Sequence, residues 1–222
     1  MRAIRYVFLG FLLVLSLAAV PAWAVFSGEN GVIRFSFDPG DEIQPVGHAT
    51  VSENGVTVVD LYCWLTDVEP LKKEGVAFTG VGAFELLLTI DGAEGFILKQ
   101  EYFQDFRQVG SRPGHCVVGL DPGMSLEDGR VQLVHWEILF QGQPEDVVFG
   151  LDPAGLISCV KDPECDGQGM RALYVGDGAS GLNGYIFGAG YQPAYLNPSE
   201  EVDLQDRHGQ ITWRDRGQFE LR

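Results

Sequence analysis

Apolar and polar residues alternate along most of this chain, and no stretch shows the three-to-four-residue spacing of an amphipathic helix. Val131–Phe140 is the clearest case. Val134, Trp136, Ile138 and Phe140 fall on one side, and Gln132, His135 and Glu137 fall off it. The run 56–65 is rich in β-branched and aromatic residues and places Val59, Leu61, Cys63 and Leu65 on one apolar face, so the Cys63 sulfur is expected inside. In 83–90, Phe84, Leu86, Leu88 and Ile90 point one way, with Glu85 and Thr89 opposite. Further strands are predicted at 32–37, 96–103, 147–149, 156–159, 172–175, 185–187 and 210–213. Turns are predicted at Asp38-Pro39-Gly40, Asp91-Gly92, Asp121-Pro122-Gly123, Glu127-Asp128-Gly129 and Asp177-Gly178. The one stretch with helical character, Pro70 to Gly75, is brief.

Roughly ten short strands without a crossover helix predict an all-β chain folded as an antiparallel β-sandwich, jelly-roll-like, and exclude a parallel α/β fold. The Gly-rich segment after Cys165 reads as a C-terminal extension packed on that sandwich. With 29 Gly and 11 Pro in 222 residues, the composition fits a turn-rich chain. No repeat, linker or block of charge divides it, so residues 25–222 read as a single domain.

The N-terminus carries Arg2 and Arg5, then an apolar run from Val7 to Val20, then Pro21-Ala22-Trp23-Ala24. That order is the order of a secretory signal peptide, residues 1–24, cleaved after Ala24. The apolar run is shorter than the ~20 residues a membrane-spanning helix needs, so the mature chain is expected to carry no integral membrane segment and to be secreted or periplasmic. Net charge is −16, an acidic balance that excludes nucleic acid as a natural partner.

Export changes how cysteine reads. Cys63, Cys116, Cys159 and Cys165 form an even set in an oxidising setting, which points to disulfides. Cys159 and Cys165 are close enough in sequence to close a local loop, leaving Cys63 for Cys116. No Cys-x-x-Cys motif and no His at ligand spacing suggests zinc.

The strand Gly82-Ala83-Phe84-Glu85-Leu86-Leu87-Leu88-Thr89-Ile90-Asp91, followed by the long alternating strand 131–140, resembles the cohesin-type β-sandwich and related carbohydrate-binding modules. The resemblance spans 32–156. It departs at Ile90-Asp91-Gly92, where the family usually has Tyr-Asp-Pro. It implies a jelly-roll-like sandwich and transfers no binding residue.

Candidate chemistry is sparse. No Gly-x-Ser-x-Gly elbow exists, Ser180 reads as a turn residue, and His48, His115, His135 and His208 lack a shared spacing. Asp162, Glu164 and Asp166, with Gly167 behind them, copy the opening of a calcium loop. Leu173 stands where a bidentate Glu would close it, and the other reading is an acidic surface loop stapled by Cys159 and Cys165. Tyr185, Phe187, Tyr191 and Tyr195 crowd together among Gly188, Gly190 and Pro193. They are either a platform for stacking on sugar rings or a cover for one end of the core. The function expected is an exported, non-catalytic recognition or structural module binding a glycan or a protein. The alternative is a secreted glycoside-type hydrolase whose carboxylates the sequence does not single out.

Overall fold

A computed structural model describes residues 25–40, 42–69, 72–73, 76–77, 80–108, 110, 112–152, 172–177 and 185–202. Its elements are β1 (Val25–Ser36), β2 (Val46–Gly47), β3 (Val56–Thr66), β4 (Lys72–Lys73), β5 (Val76–Ala77), β6 (Gly80–Asp91), β7 (Gly95–Tyr102), β8 (Phe106–Gln108), β9 (His115–Ser125), β10 (Val131–Gln141), β11 (Val147–Asp152), β12 (Ala172–Asp177), β13 (Tyr185–Gln192) and β14 (Ala194–Leu196). No helix is present among the described residues. The leader 1–24, the strands expected at 156–159 and 210–213, and Cys159, Asp162, Glu164, Cys165 and Asp166 lie outside them.

Hydrogen bonding runs continuously in the order β2-β14-β11-β6-β12-β13-β1-β3-β10-β7, with β9 on the other side of β6 and β8 beyond it. The sheet is mixed, because β1 runs parallel to β13 and β14 parallel to β2. β1 is the hinge of the arrangement: its Val32–Arg34 stretch pairs with both β13 and β3, so one half of the ladder can fold over the other. Ring contacts between strands that are not ladder neighbours show that it does. Phe149 of β11 meets Phe140 of β10 edge-on at 6.3 Å, and Phe84 of β6 meets Tyr102 of β7 at 6.1 Å. The result is a sandwich of two layers, β1-β3-β10-β7 facing the layer built around β6.

The interior follows the predicted alternation. Val59, Leu61, Cys63 and Leu65 of β3 and Val134, Trp136, Ile138 and Phe140 of β10 are all buried and belong to one core with Phe84, Leu86 and Leu88. Burying a large aliphatic or aromatic side chain stabilises by roughly 1.5–3 kcal/mol, which is why a one-residue slip of either strand is excluded.

The chain departs from the predicted pattern in a few places. Glu85, expected to point outward, is 5 % exposed. Asp121-Pro122-Gly123 does not end a strand but lies within β9, where the β6 ladder slips between the Val81–Met124 and Ala83–Gly119 pairs. Proline, having no N–H to give, is tolerated at such an irregularity. Lys72–Lys73, in the stretch with helical character, is extended and pairs with Val76–Ala77. The Glu127–Arg130 turn is as expected, with positive φ at both Asp128 and Gly129.

Candidate functional site

The outer face of the β1-β3-β10-β7 layer gathers more aromatic and charged side chains than the alternation alone announces. Register sets its rows. At one end Val58, Leu139 and Phe96 stand side by side on β3, β10 and β7, with Val58 and Phe96 close to half exposed. The next row is Asp60, Glu137 and Lys99, and the one after it Tyr62, His135 and Glu101. At the far end Trp64 lies between Gln132 of β10 and Arg34 of β1.

His135 is the centre of this face. Its ring lies flat on Tyr62, with centroids 4.5 Å apart and planes 9° from parallel. Nε2 is 2.7 Å from Asp60 Oδ1 and Nδ1 is 3.2 Å from Glu101 Oε2. A singly protonated imidazole donates to one carboxylate and a doubly protonated one to both, so the ring acts as a clamp between β3 and β7. Lys99 Nζ closes the other side of Glu101 at 2.7 Å. Hydrogen bonds from Lys99 and His135 hold the Glu101 carboxyl below the usual range, and its bond to Glu101 holds the Lys99 ammonium above its own. Burial, then the charges of Asp60, Asp38 and Glu101, push the Tyr62 phenol up. With both ring nitrogens facing carboxylates, His135 is a bridge, not a base turned toward a substrate.

The Trp64 end is differently built. The Arg130 guanidinium sits 5.7 Å from the Trp64 ring centroid, and Arg34 Nη2 reaches Asp67 Oδ2 at 2.7 Å. Trp64 Nε1 and Arg34 Nε are sheltered from solvent, and neither has an acceptor among the described residues. Beside the Phe96 end opens a cleft of about 430 Å³ between the β6–β7 and β10–β11 connections, lined by Gly92, Glu94, Phe96, Gln141 and Glu145 among others. No three His, Cys, Asp or Glu side chains among the described residues converge to hold a metal ion.

The aromatic cluster of the tail takes its other reading where its side chains are described. Phe187 and Tyr195 are buried, Phe187 stacks on Tyr174 at 5.3 Å, and Tyr191 is half-buried against the core. Phe187 and Tyr195 therefore pack within the fold instead of standing out as a stacking platform. Tyr185 lies on β13, parallel to Val25, and its side chain is outside the description. Cys63 and Cys116, expected to be joined, are instead both buried free thiols, held in separate strands of the core; Cys159 and Cys165 lie outside the described residues.

Of the outer face, the alternation in 131–140 singles out Gln132, His135 and Glu137. What the sequence does not signal is that Asp60, His135 and Glu101 meet, because their strands are adjacent in space and far apart in the chain.

No family model matches the chain, and no curated protein does. Among solved structures it is similar to the cohesin module of a family 33 glycoside hydrolase from Clostridium perfringens, at 13% identity over 78% of this chain and 99% of that one, TM-score 0.48. The seventh ScaB type I cohesin of Pseudobacteroides cellulosolvens is 10% identical over 82% of this chain and 99% of its own, TM-score 0.45. A non-cellulosomal cohesin from Archaeoglobus fulgidus is 9% identical over 82% and 98%, TM-score 0.41. At such identities, and with these TM-scores, neither a residue role nor a fold assignment passes from them to this chain; they are what it is similar to.

Proposed function

We propose that this protein is an exported, non-catalytic recognition module that binds a protein partner across the outer face of the β1-β3-β10-β7 layer. The observation that carries the reading is the composition of that face. An apolar row (Val58, Leu139, Phe96), close to half exposed at Val58 and Phe96, adjoins a centre of charges already fixed by one another, and at the far end the Arg130 guanidinium stands against the Trp64 ring. Aromatic residues and Arg are enriched where proteins meet, and charges held in place before contact lose little side-chain freedom on binding. The partner that fits presents apolar side chains to Phe96 and Val58.

The test is differential capture. Immobilised wild-type protein and an Arg107→Ala control, altered on β8 in the other layer, should retain the same protein from a cell-envelope fraction. Phe96→Asp should lose it by tenfold or more, the ~1.4 kcal/mol or greater that one well-packed apolar anchor contributes. Undiminished capture by Phe96→Asp would remove this face from consideration.

A second reading rests on one feature. Glu94 and Glu145 line the same open cleft, and a carboxylate pair is what glycoside hydrolysis requires. Both are exposed, so their surroundings do not set one apart as acid and the other as base. Release of reducing sugar from polysaccharide by the wild type, abolished in Glu94→Gln and Glu145→Gln, would favour this reading over the first.

A further inference from the structure

Cys63 and Cys116 stand on opposite layers of the sandwich, both fully buried and both in the one core. Cys63 lies on the inward side of β3 and pairs across the ladder with Phe35 and Val134. Val134 is also the partner of Tyr102 on β7, so Cys63 and Tyr102 flank the same residue, two strand spacings or ~10 Å apart. From the other layer, the Sγ of Cys116 accepts a hydrogen bond from the Tyr102 hydroxyl at 3.6 Å. Both sulfurs therefore lie in the one core, Cys63 on the strand beside Val134 and Cys116 against the Tyr102 hydroxyl. We propose that Cys63 and Cys116 are a redox-modification site, joined on oxidation by a disulfide that ties β3 to β9 across the core.

In that step each thiol gives up its proton and one sulfur–sulfur bond forms. The two electrons released pass to a second disulfide, that of an exchanging dithiol carrier or of oxidised glutathione, which is cleaved to two thiols. The attacking species is a thiolate. Burial pushes the Cys63 thiol well up, with the neighbouring Cys116 adding to the effect, and burial pushes Cys116 up to about 12. Both therefore stay protonated and out of reach of an oxidant once the layers have closed. The bond forms while the chain is folding. After closure the free dithiol is inert, and so is the finished disulfide.

The full chain is unfolded with reductant present and refolded in oxidised glutathione. It is then alkylated under denaturing conditions and mapped by mass spectrometry without reduction. The Cys63 and Cys116 peptides should be recovered joined, about two mass units lighter than their sum for the two thiol hydrogens lost. Chain already folded with reduced thiols, placed in the same buffer, should acquire the link at least tenfold more slowly. Melting of the oxidised wild type should fall when it is unfolded and refolded with reductant. That fall should persist in Cys159→Ala/Cys165→Ala and shrink in Cys63→Ala/Cys116→Ala. Recovery of Cys63 and Cys116 as alkylated thiols after oxidative refolding would overturn the proposal, as would Cys63 joined to Cys159 or Cys165.

Discussion

Gln100, half-buried on β7, holds together a chain of polar groups against the core, and its replacement by Leu should be disproportionately costly. Its Oε1 accepts from Trp136 Nε1 and from the Gly114 amide, each at 2.9 Å. Its Nε2 donates to the Tyr102 hydroxyl, which in turn donates to Cys116 Sγ. Trp136 is fully buried and Gly114 is buried, so water cannot replace the lost acceptor at either. Leu matches the volume of Gln closely, so the change leaves packing nearly intact and isolates the polar loss.

Each buried donor left without an acceptor costs about 1–3 kcal/mol. Two of them, less about 1 kcal/mol regained by burying an apolar side chain, give a net loss of about 3 kcal/mol. For a chain of this size that corresponds to a fall in Tm of about 6–12 °C. Urea unfolding followed by far-UV circular dichroism measures it. A double-mutant cycle sharpens the argument. Trp136→Phe removes one of the two donors, so Gln100→Leu made on top of it should cost about 2 kcal/mol less than in the wild type. A Gln100→Leu protein within 0.5 kcal/mol of wild type, or a strictly additive pair, would refute the account of Oε1 as a shared buried acceptor.

Two other outcomes follow from local geometry. Gly92 has φ +96° and a Cβ placed there would lie 2.6 Å from the Asp146 carbonyl oxygen, whereas Gly55, at φ +76°, has nothing within 4 Å. Gly55→Ala should cost only left-handed strain, about 1–2 kcal/mol, and Gly92→Ala distinctly more. Equal losses in thermal melts would show that the clash is relieved. Glu101 titrates lower folded than unfolded, so its contribution is fully present above the unfolded carboxylate range and is lost as pH falls through the folded value. Acid unfolding curves should therefore show a steeper loss below about pH 4.3 for wild type than for Glu101→Gln, by a modest margin because the group is exposed. Coincident curves would mean that Lys99 and His135 do not hold it.

What was legible in the sequence is what period two encodes. Alternation in 131–140 and 56–65 gave the buried faces of β10 and β3 residue by residue, because each has water on one side and core on the other. It misplaced Glu85, whose strand β6 lies deep in the ladder with β9 on one side and β11 and β12 on the other. The alternation of apolar and polar positions reports a wet face, and at Glu85 there is none. Likewise the aromatics at 187 and 195 could be counted but not placed, since exposure depends on which strand they lie against.

The candidate site fails to announce itself for a related reason. A strand's alternation assigns His135 to the outer side, but its partners are set by strand order, and the order here is β3-β10-β7. Asp60 and Glu101 precede His135 by 75 and 34 residues, so no local window contains the triad. The same order decides what the face can recognise. Were β7 to pair elsewhere, Phe96 would leave Val58 and Leu139, Lys99 and Glu101 would leave His135, and the apolar anchor would separate from the charges beside it. Recognition on this face is thus a property of pairing register. Changes that slip β7 against β10 should abolish binding even where every residue of the face is kept, whereas scattered substitutions away from these rows should not.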